Sequence, residues 1–230
     1  MQQLWTVFSE LTDKVRADHI QHDALGGCHD LLHAFMVAQY AQRIADDEES
    51  ATLGWVAGIC HNADRMFGHT LADSFVEEYL TLVPLDSVQK KRIAKAVLMH
   101  STRDTLDEDD VLVVLKDADR LANTGPVVWL RAGQFLPRIP SVDPRYVLER
   151  DPLARYNDPR SLLENMRNAL EWESWLRKEK AKILAKPYFD GLRTLIEGIR
   201  AQLEETELFP FPFPEDYTKL SRECRMKRGV

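Results

Sequence analysis

Cysteine is scarce in this sequence: Cys28, Cys60 and Cys224 make an odd number with no CxxC spacing. Neither a disulfide framework nor a thiolate zinc site is suggested, and a reducing cytosol fits. Positive charge is not in excess either. The formal net charge of -7 and pI near 5.5 argue against general affinity for nucleic-acid backbones or anionic membranes. No uncharged apolar run is long enough to cross a bilayer. The N-terminal MQQLWTVFSELTDKVRADH has no basic segment followed by an apolar one, being interrupted by Glu10, Asp13, Lys14 and Arg16, so no secretion signal is read. No internal repeat is visible. With 44% apolar and 29% charged residues over 230 positions, the chain is expected to be a cytoplasmic globular protein with one sizeable core.

The chain is organised around LGWVAGICHNADRMFG, Leu53 to Gly68, where an uncharged apolar segment runs straight into His61, Asn62, Asp64 and Arg65. Such a run predicts a helix buried on most of its circumference. The polar groups at its end then need partners, either in a hydrogen-bonded core junction or in a metal site. Upstream, Leu4, Val7, Phe8, Leu11 and Val15 repeat at helical spacing, predicting a helix that ends before His19 and His22, which fall in a solvated turn. Gly26-Gly27 breaks the chain. A second helix follows from about Asp30 to Ala45, and His33, Val37, Tyr40 and Ile44 share one of its faces. The acidic turn from Asp46 to Ser50 supplies an N-cap for the apolar helix.

Further helices are predicted from about Thr70 to Leu80 and from Ser87 to about Ser101, where His100 shares a face with Ile93 and Val97. VLVVLKDADRLAN could open as a strand through Val111, Val113 and Val114. The stripe Val111, Leu115, Ala118, Leu121 and Ala122 favours a helix, with Asp119 inside its apolar arc and Asp117 on the border. From 125 to 160 the character changes, with six of the 11 prolines and many arginines interleaved with aromatics. It reads as an ordered excursion, either a substrate lid or a loop packed on the last helices. Residues 161–205 predict two amphipathic helices, the second interrupted at Pro187. The tail 206–230 begins with alternating Phe and Pro, extended in character. The expected architecture is all-α: one helical domain over 1–205 followed by that tail.

Three separate helices thus each place one good ligand in apolar surroundings: His33, His61 and Asp119. Neutral imidazole with carboxylate suits a borderline divalent cation, and three protein ligands leave positions for water. At these residues the sequence resembles the HD-domain metal-dependent phosphohydrolases. HDLLHAFMVAQYA, ICHNADRMFGH, VLMHS and VVLKDADRLANTG look like successive family segments in the right order, strongest over 28–125. The resemblance implies an HD-like helical bundle with additional C-terminal helices. It also implies a divalent cation (Mn, Mg, Ni, Fe or Zn) held by His33, His61, Asn62 and Asp119.

The departure is at Asn62, which stands where the family has the aspartate of its His-Asp pair. An amide oxygen can coordinate, but it brings no charge and cannot take a proton as a carboxylate can. Asp64, three residues after His61, would share its face if the helix continued and could partly replace the missing carboxylate. Asp64 and Arg65 are therefore the catalytic candidates. His69 and His100 resemble histidines lining the same cleft, as supporting hydrogen-bond partners or at a second metal. Lys116 and Arg120 could steady a phosphate or form ion pairs. Cys60 is disfavoured as a nucleophile because an apolar setting raises its pKa.

Two functions are expected. One is a metal-dependent phosphohydrolase acting on a nucleotide or other small phosphoester through activated water. The other is a catalytically impaired HD-like ligand-binding or regulatory module. The expected partner is a small phosphorylated substrate, with no membrane and no general nucleic-acid binding, and the tail either docks on a second subunit as a homodimer through Phe209, Phe211 and Phe213 or caps its own chain. A di-iron oxygenase fits less well, since the extra carboxylates it needs are not apparent.

Overall fold

The computed structural model describes residues 3–22, 30–68, 70–135, 139–155 and 158–216. Among them the chain is all-α, with no strand, and no helix is long and apolar enough to cross a membrane. By its internal contacts the chain divides into two compact units. The first unit takes residues 1–123 and 175–184, the second 124–174 and 185–230.

The first unit opens with α1 (Leu4–Val7) and α2 (Ser9–Gln21). The predicted end before His19 is not observed. The helix runs on to Gln21, and His19 is fully buried, because Leu11, Val15, Asp18 and His19 form its inner side. Then follow α3 (Leu31–Ile44), α4 (Glu48–Cys60), α5 (Ala63–Phe67), α6 (Ala72–Thr81), α7 (Ser87–Met99) and α8 (Asp110–Ala122). The starts of the long helices are set by carboxylates that satisfy otherwise orphan backbone donors. Asp30 accepts from the His33 amide at 2.8 Å, Asp47 from Ser50 at 2.8 Å, and Asp86 forms a reciprocal capping box with Gln89.

α3, α4 and α8 pack on one another as the core of this unit. Their closeness depends on two glycines. A Cβ at Gly58 would stand 2.6 Å from the Cα of Ala38, and one at Gly54 would stand 2.8 Å from Val114. Only hydrogen at Gly58 lets α4 lie against the backbone of α3, as hydrogen at Gly54 makes room for Val114 of α8, and this brings His61, the residue after α4, down to the level of His33. α8 is a helix over Asp110–Ala122; its apolar stripe prevails over the strand propensity of its valines.

A buried ion network ties the 104–108 loop to α8. Lys116 Nζ lies 2.6 Å from Glu108 and 3.2 Å from Asp104, and Arg120 forks onto both oxygens of Asp104 at 2.8 and 2.7 Å. Asp117 is fully buried and accepts the backbone N–H groups of Arg177 and Lys178 at 2.8 and 2.7 Å. It anchors the first turn of α11 (Glu179–Glu205), which belongs to the first unit as far as Leu184.

The second unit holds α9 (Pro126–Phe135), a 3-10 turn (Pro144–Tyr146), α10 (Leu162–Asn168), a 3-10 stretch (Ala169–Trp175) up to Ser174, and the rest of α11. Its core is Val147, Leu163, Ala169, Leu192 and Ile196, flanked by Trp129, Leu195 and Phe209. Two readings change here. The helix expected over 161–175 tightens into 3-10 geometry after Asn168, and α11 is continuous through Pro187. Of the arginines in the 125–160 excursion, Arg145 pairs with Asp143 at 2.6 Å, Arg150 with Glu171 at 2.5 Å and Arg160 with Asp151 at 3.5 Å.

Candidate metal centre

Three helix ends or faces of the first unit converge. His33 lies in the first turn of α3, His61 closes α4, and Asp119 sits in the last turn of α8. Their ligand atoms all lie within 4.8 Å of one another, and among the described residues these three form the group able to hold a metal. His33 Nε2 is 3.1 Å and His61 Nε2 is 4.0 Å from Asp119 Oδ1. Both imidazoles are buried, while the Asp119 side chain keeps 29% exposure, so the cluster opens to solvent on the carboxylate side.

Each group is held for the task. His61 Nδ1 is 2.7 Å from the Gly58 carbonyl. That carbonyl can only accept, so the ring carries its proton on Nδ1 and turns a lone pair outward at Nε2. Among the described residues this buried Nε2 has no hydrogen-bond partner. Buried nitrogens are rarely left so, and a cation would satisfy it. Burial, reinforced by the neighbouring His33, pushes the His61 pKa well below the ordinary imidazole value, which keeps the ring neutral.

Burial alone would raise the Asp119 carboxyl, but the interaction with His33 outweighs that and holds it below the usual range. Asn123, the C-cap of α8, donates from Nδ2 to Asp119 Oδ1 at 2.9 Å and fixes the carboxylate. Neutral imidazole and ionised carboxylate are the protonation states that coordination requires.

His100 adjoins the cluster. Its ring meets the edge of His61 with centroids 5.5 Å apart, and its Nδ1 is bonded to the Val97 carbonyl at 2.6 Å. His69 lies outside the described residues. Asn62 is buried beside His61, with Nδ2 3.3 Å from the Asp30 carbonyl and 3.5 Å from His19 Nε2.

Asp64 does not join the group. α4 stops at Cys60, His61 and Asn62 form a turn, and α5 starts at Ala63, so the continuous helix that would put Asp64 on the face of His61 does not exist. Its carboxylate stands 3.5 Å from Arg65. Lys116 and Arg120 are likewise committed, to Asp104, Glu108 and Asp117. Their ion pairing replaces the reading of them as phosphate ligands. Burial raises the pKa of the Cys60 thiol, which leaves it unreactive. Two residues of this neighbourhood carried no obvious sequence signal. His19 sits among charged neighbours, and Asn123 is marked only by its place four residues after Asp119.

Solved structures share the arrangement of helices. A Lactobacillus plantarum protein, a structural genomics target, aligns with TM-score 0.63 at 18% identity, over 84% of this chain and 98% of that one. The Lin1889 protein of Listeria innocua gives 0.60 at 16%, over 86% and 97%. A Bacillus thuringiensis protein described as an HD-superfamily hydrolase gives 0.56 at 15%, over 84% and 98%. The chain has the HD-superfamily fold. No family model and no curated protein matches the sequence. In this HD-type fold, the three converging side chains are the residues that the sequence motifs singled out.

Proposed function

We propose that the chain is a metal-dependent phosphohydrolase acting on a nucleotide or another small phosphoester. The observation that carries the reading is the buried Nε2 of His61, which has no hydrogen-bond partner among the described residues and lies 4.0 Å from the carboxylate oxygen that His33 Nε2 approaches to 3.1 Å. A divalent cation held by His33, His61 and Asp119 would supply Lewis acidity to a phosphoryl oxygen and make water a nucleophile near neutral pH. The protein's part is to hold the ligands. Gly58 fixes the His61 tautomer, Asn123 fixes Asp119, and the depressed pKa of His61 keeps its lone pair available throughout the neutral range. The partial exposure of Asp119 leaves a side from which substrate can approach.

Asn62 favours a second reading, an HD-type module that binds a phosphorylated ligand without turnover, because it brings no charge where the family places an aspartate. A phosphoester panel that includes nucleotides, run on chelator-free protein with Mn, Mg, Ni or Fe, separates the two. Metal-dependent phosphate release that disappears in Asp119→Ala supports hydrolysis. Tight nucleotide binding without release supports the module, and failure to take up any of the four metals contradicts the hydrolase.

A further inference from the structure

α3 is apolar on two sides. Ala34, Val37, Ala38, Ala41 and Ile44 are fully buried in the core of the first unit, yet no charge falls between Leu31 and Gln42 on the rest of the helix. A helix on the surface of a core ordinarily turns charged residues to its other side. Here Leu32, Phe35, Met36, Gln39, Tyr40 and Arg43 recur with the period of one helix face and line a cavity of about 300 Å³. Phe35, Met36, Gln39 and Tyr40 are half-buried, while Leu32 and Arg43 are exposed, so the cavity opens to solvent. Its size lies at the lower end of small-molecule sites, which combine apolar walls with a few polar groups.

Two residues of the lining give the cavity its chemistry. The side-chain nitrogen of Gln39 is buried and has no hydrogen-bond partner among the described residues, so an oxygen from a ligand would satisfy it. Arg43, one turn further along the same face, is the charged member of the lining. We propose that this face of α3 binds a small carboxylate with an apolar body, of the class of medium-chain acids. One carboxylate oxygen accepts from the Gln39 amide and the other from the Arg43 guanidinium, a charge-assisted bond. The apolar body lies along Leu32, Phe35, Met36 and Tyr40, towards the start of the helix. A phosphoester suits the cavity less, having more charge and more oxygens than one cation and one amide can serve. None of the three metal-centre residues lines this cavity, and the proposal does not rest on the metal reading.

Octanoate, titrated by calorimetry into chelator-treated protein so that no metal holds it, tests the site. One saturable site per wild-type chain is expected, with no binding of octylamine, which carries the opposite charge. Arg43→Gln is expected to weaken octanoate by about tenfold or more. Met36→Trp, which fills the cavity, is expected to abolish binding, and His61→Ala to bind as the wild type does. No saturable binding at millimolar octanoate, equal binding of octylamine, or full affinity in Arg43→Gln overturns the proposal. Loss of octanoate binding in His61→Ala would place the ligand at the metal centre and overturn it as well. Sedimentation supplies the last arm: a wild-type dimer that Met36→Asp takes apart would assign this face to a second copy of the chain, against the small ligand. Should Met36→Trp not fold, the exposed Arg43 position and the octylamine comparison still decide.

Discussion

At the scale of single residues, His33, His61 and Asp119 could be read from the sequence because each is a polar group inside an apolar stripe, where burial forces it to have a purpose. His19 could not. Lys14, Arg16 and Asp18 surround it in sequence, and only the packing of α2 shows that its ring faces inward. Lys116 and Arg120, read either as phosphate ligands or as ion pairs, are ion-paired, and the carboxylates that hold them come from the 104–108 loop and from Asp117. Asn123 yields a sharp test. Its amide bond to Asp119 Oδ1 at 2.9 Å orients the carboxylate, so Asn123→Ala is expected to weaken Mn2+ binding by about 10- to 100-fold. Isothermal titration measures this, and an unchanged affinity would remove Asn123 from the site.

At the scale of elements, amphipathic period and capping chemistry made α3, α7 and α8 legible to within a residue or two. The end of α4 at His61 was legible as well, though not its cause. Neither glycine nor proline interrupts CHNADRMF, and what stops the helix is tertiary: His61 turns back to the Gly58 carbonyl, and Asn62 is drawn to Asp30 and His19. The contact of α4 with α3 is equally tertiary. Gly58→Ala would drive a methyl group to 2.6 Å from the Ala38 backbone, which cannot yield as a flexible side chain could. A loss of about 1–3 kcal/mol is expected by chemical denaturation, together with weaker metal binding, because His61 would move away from His33. Wild-type stability in Gly58→Ala would show that the two helices do not need this closeness.

For the whole molecule, the carboxylates of the ion network set the acid limb of stability. Burial alone would raise the pKa values of Asp104 and Glu108, but hydrogen bonds from Arg120 and Lys116 and the charge of Arg177 hold both below their ordinary range. A depressed pKa in the folded state contributes stability above the unfolded value, near 4, and loses it as pH falls through the folded value. Burial also lowers the pKa values of His61 and His19, so stability already begins to erode as pH falls below about 6.5, and the network adds a steeper drop in the thermal midpoint below about pH 4. Asp104→Asn should lower the neutral-pH midpoint and make the acid fall shallower. A profile of identical shape in Asp104→Asn and wild type would take this network out of the acid response.

The account stands or falls on whether two imidazoles and one carboxylate of the first unit grip a common ion. Equilibrium dialysis of chelator-free protein against Mn2+, with wild type beside His61→Ala, measures it directly. About one strongly bound ion per wild-type chain, lost in the variant, is the predicted result. No strong site in the wild type, or the same site in both proteins, would contradict it.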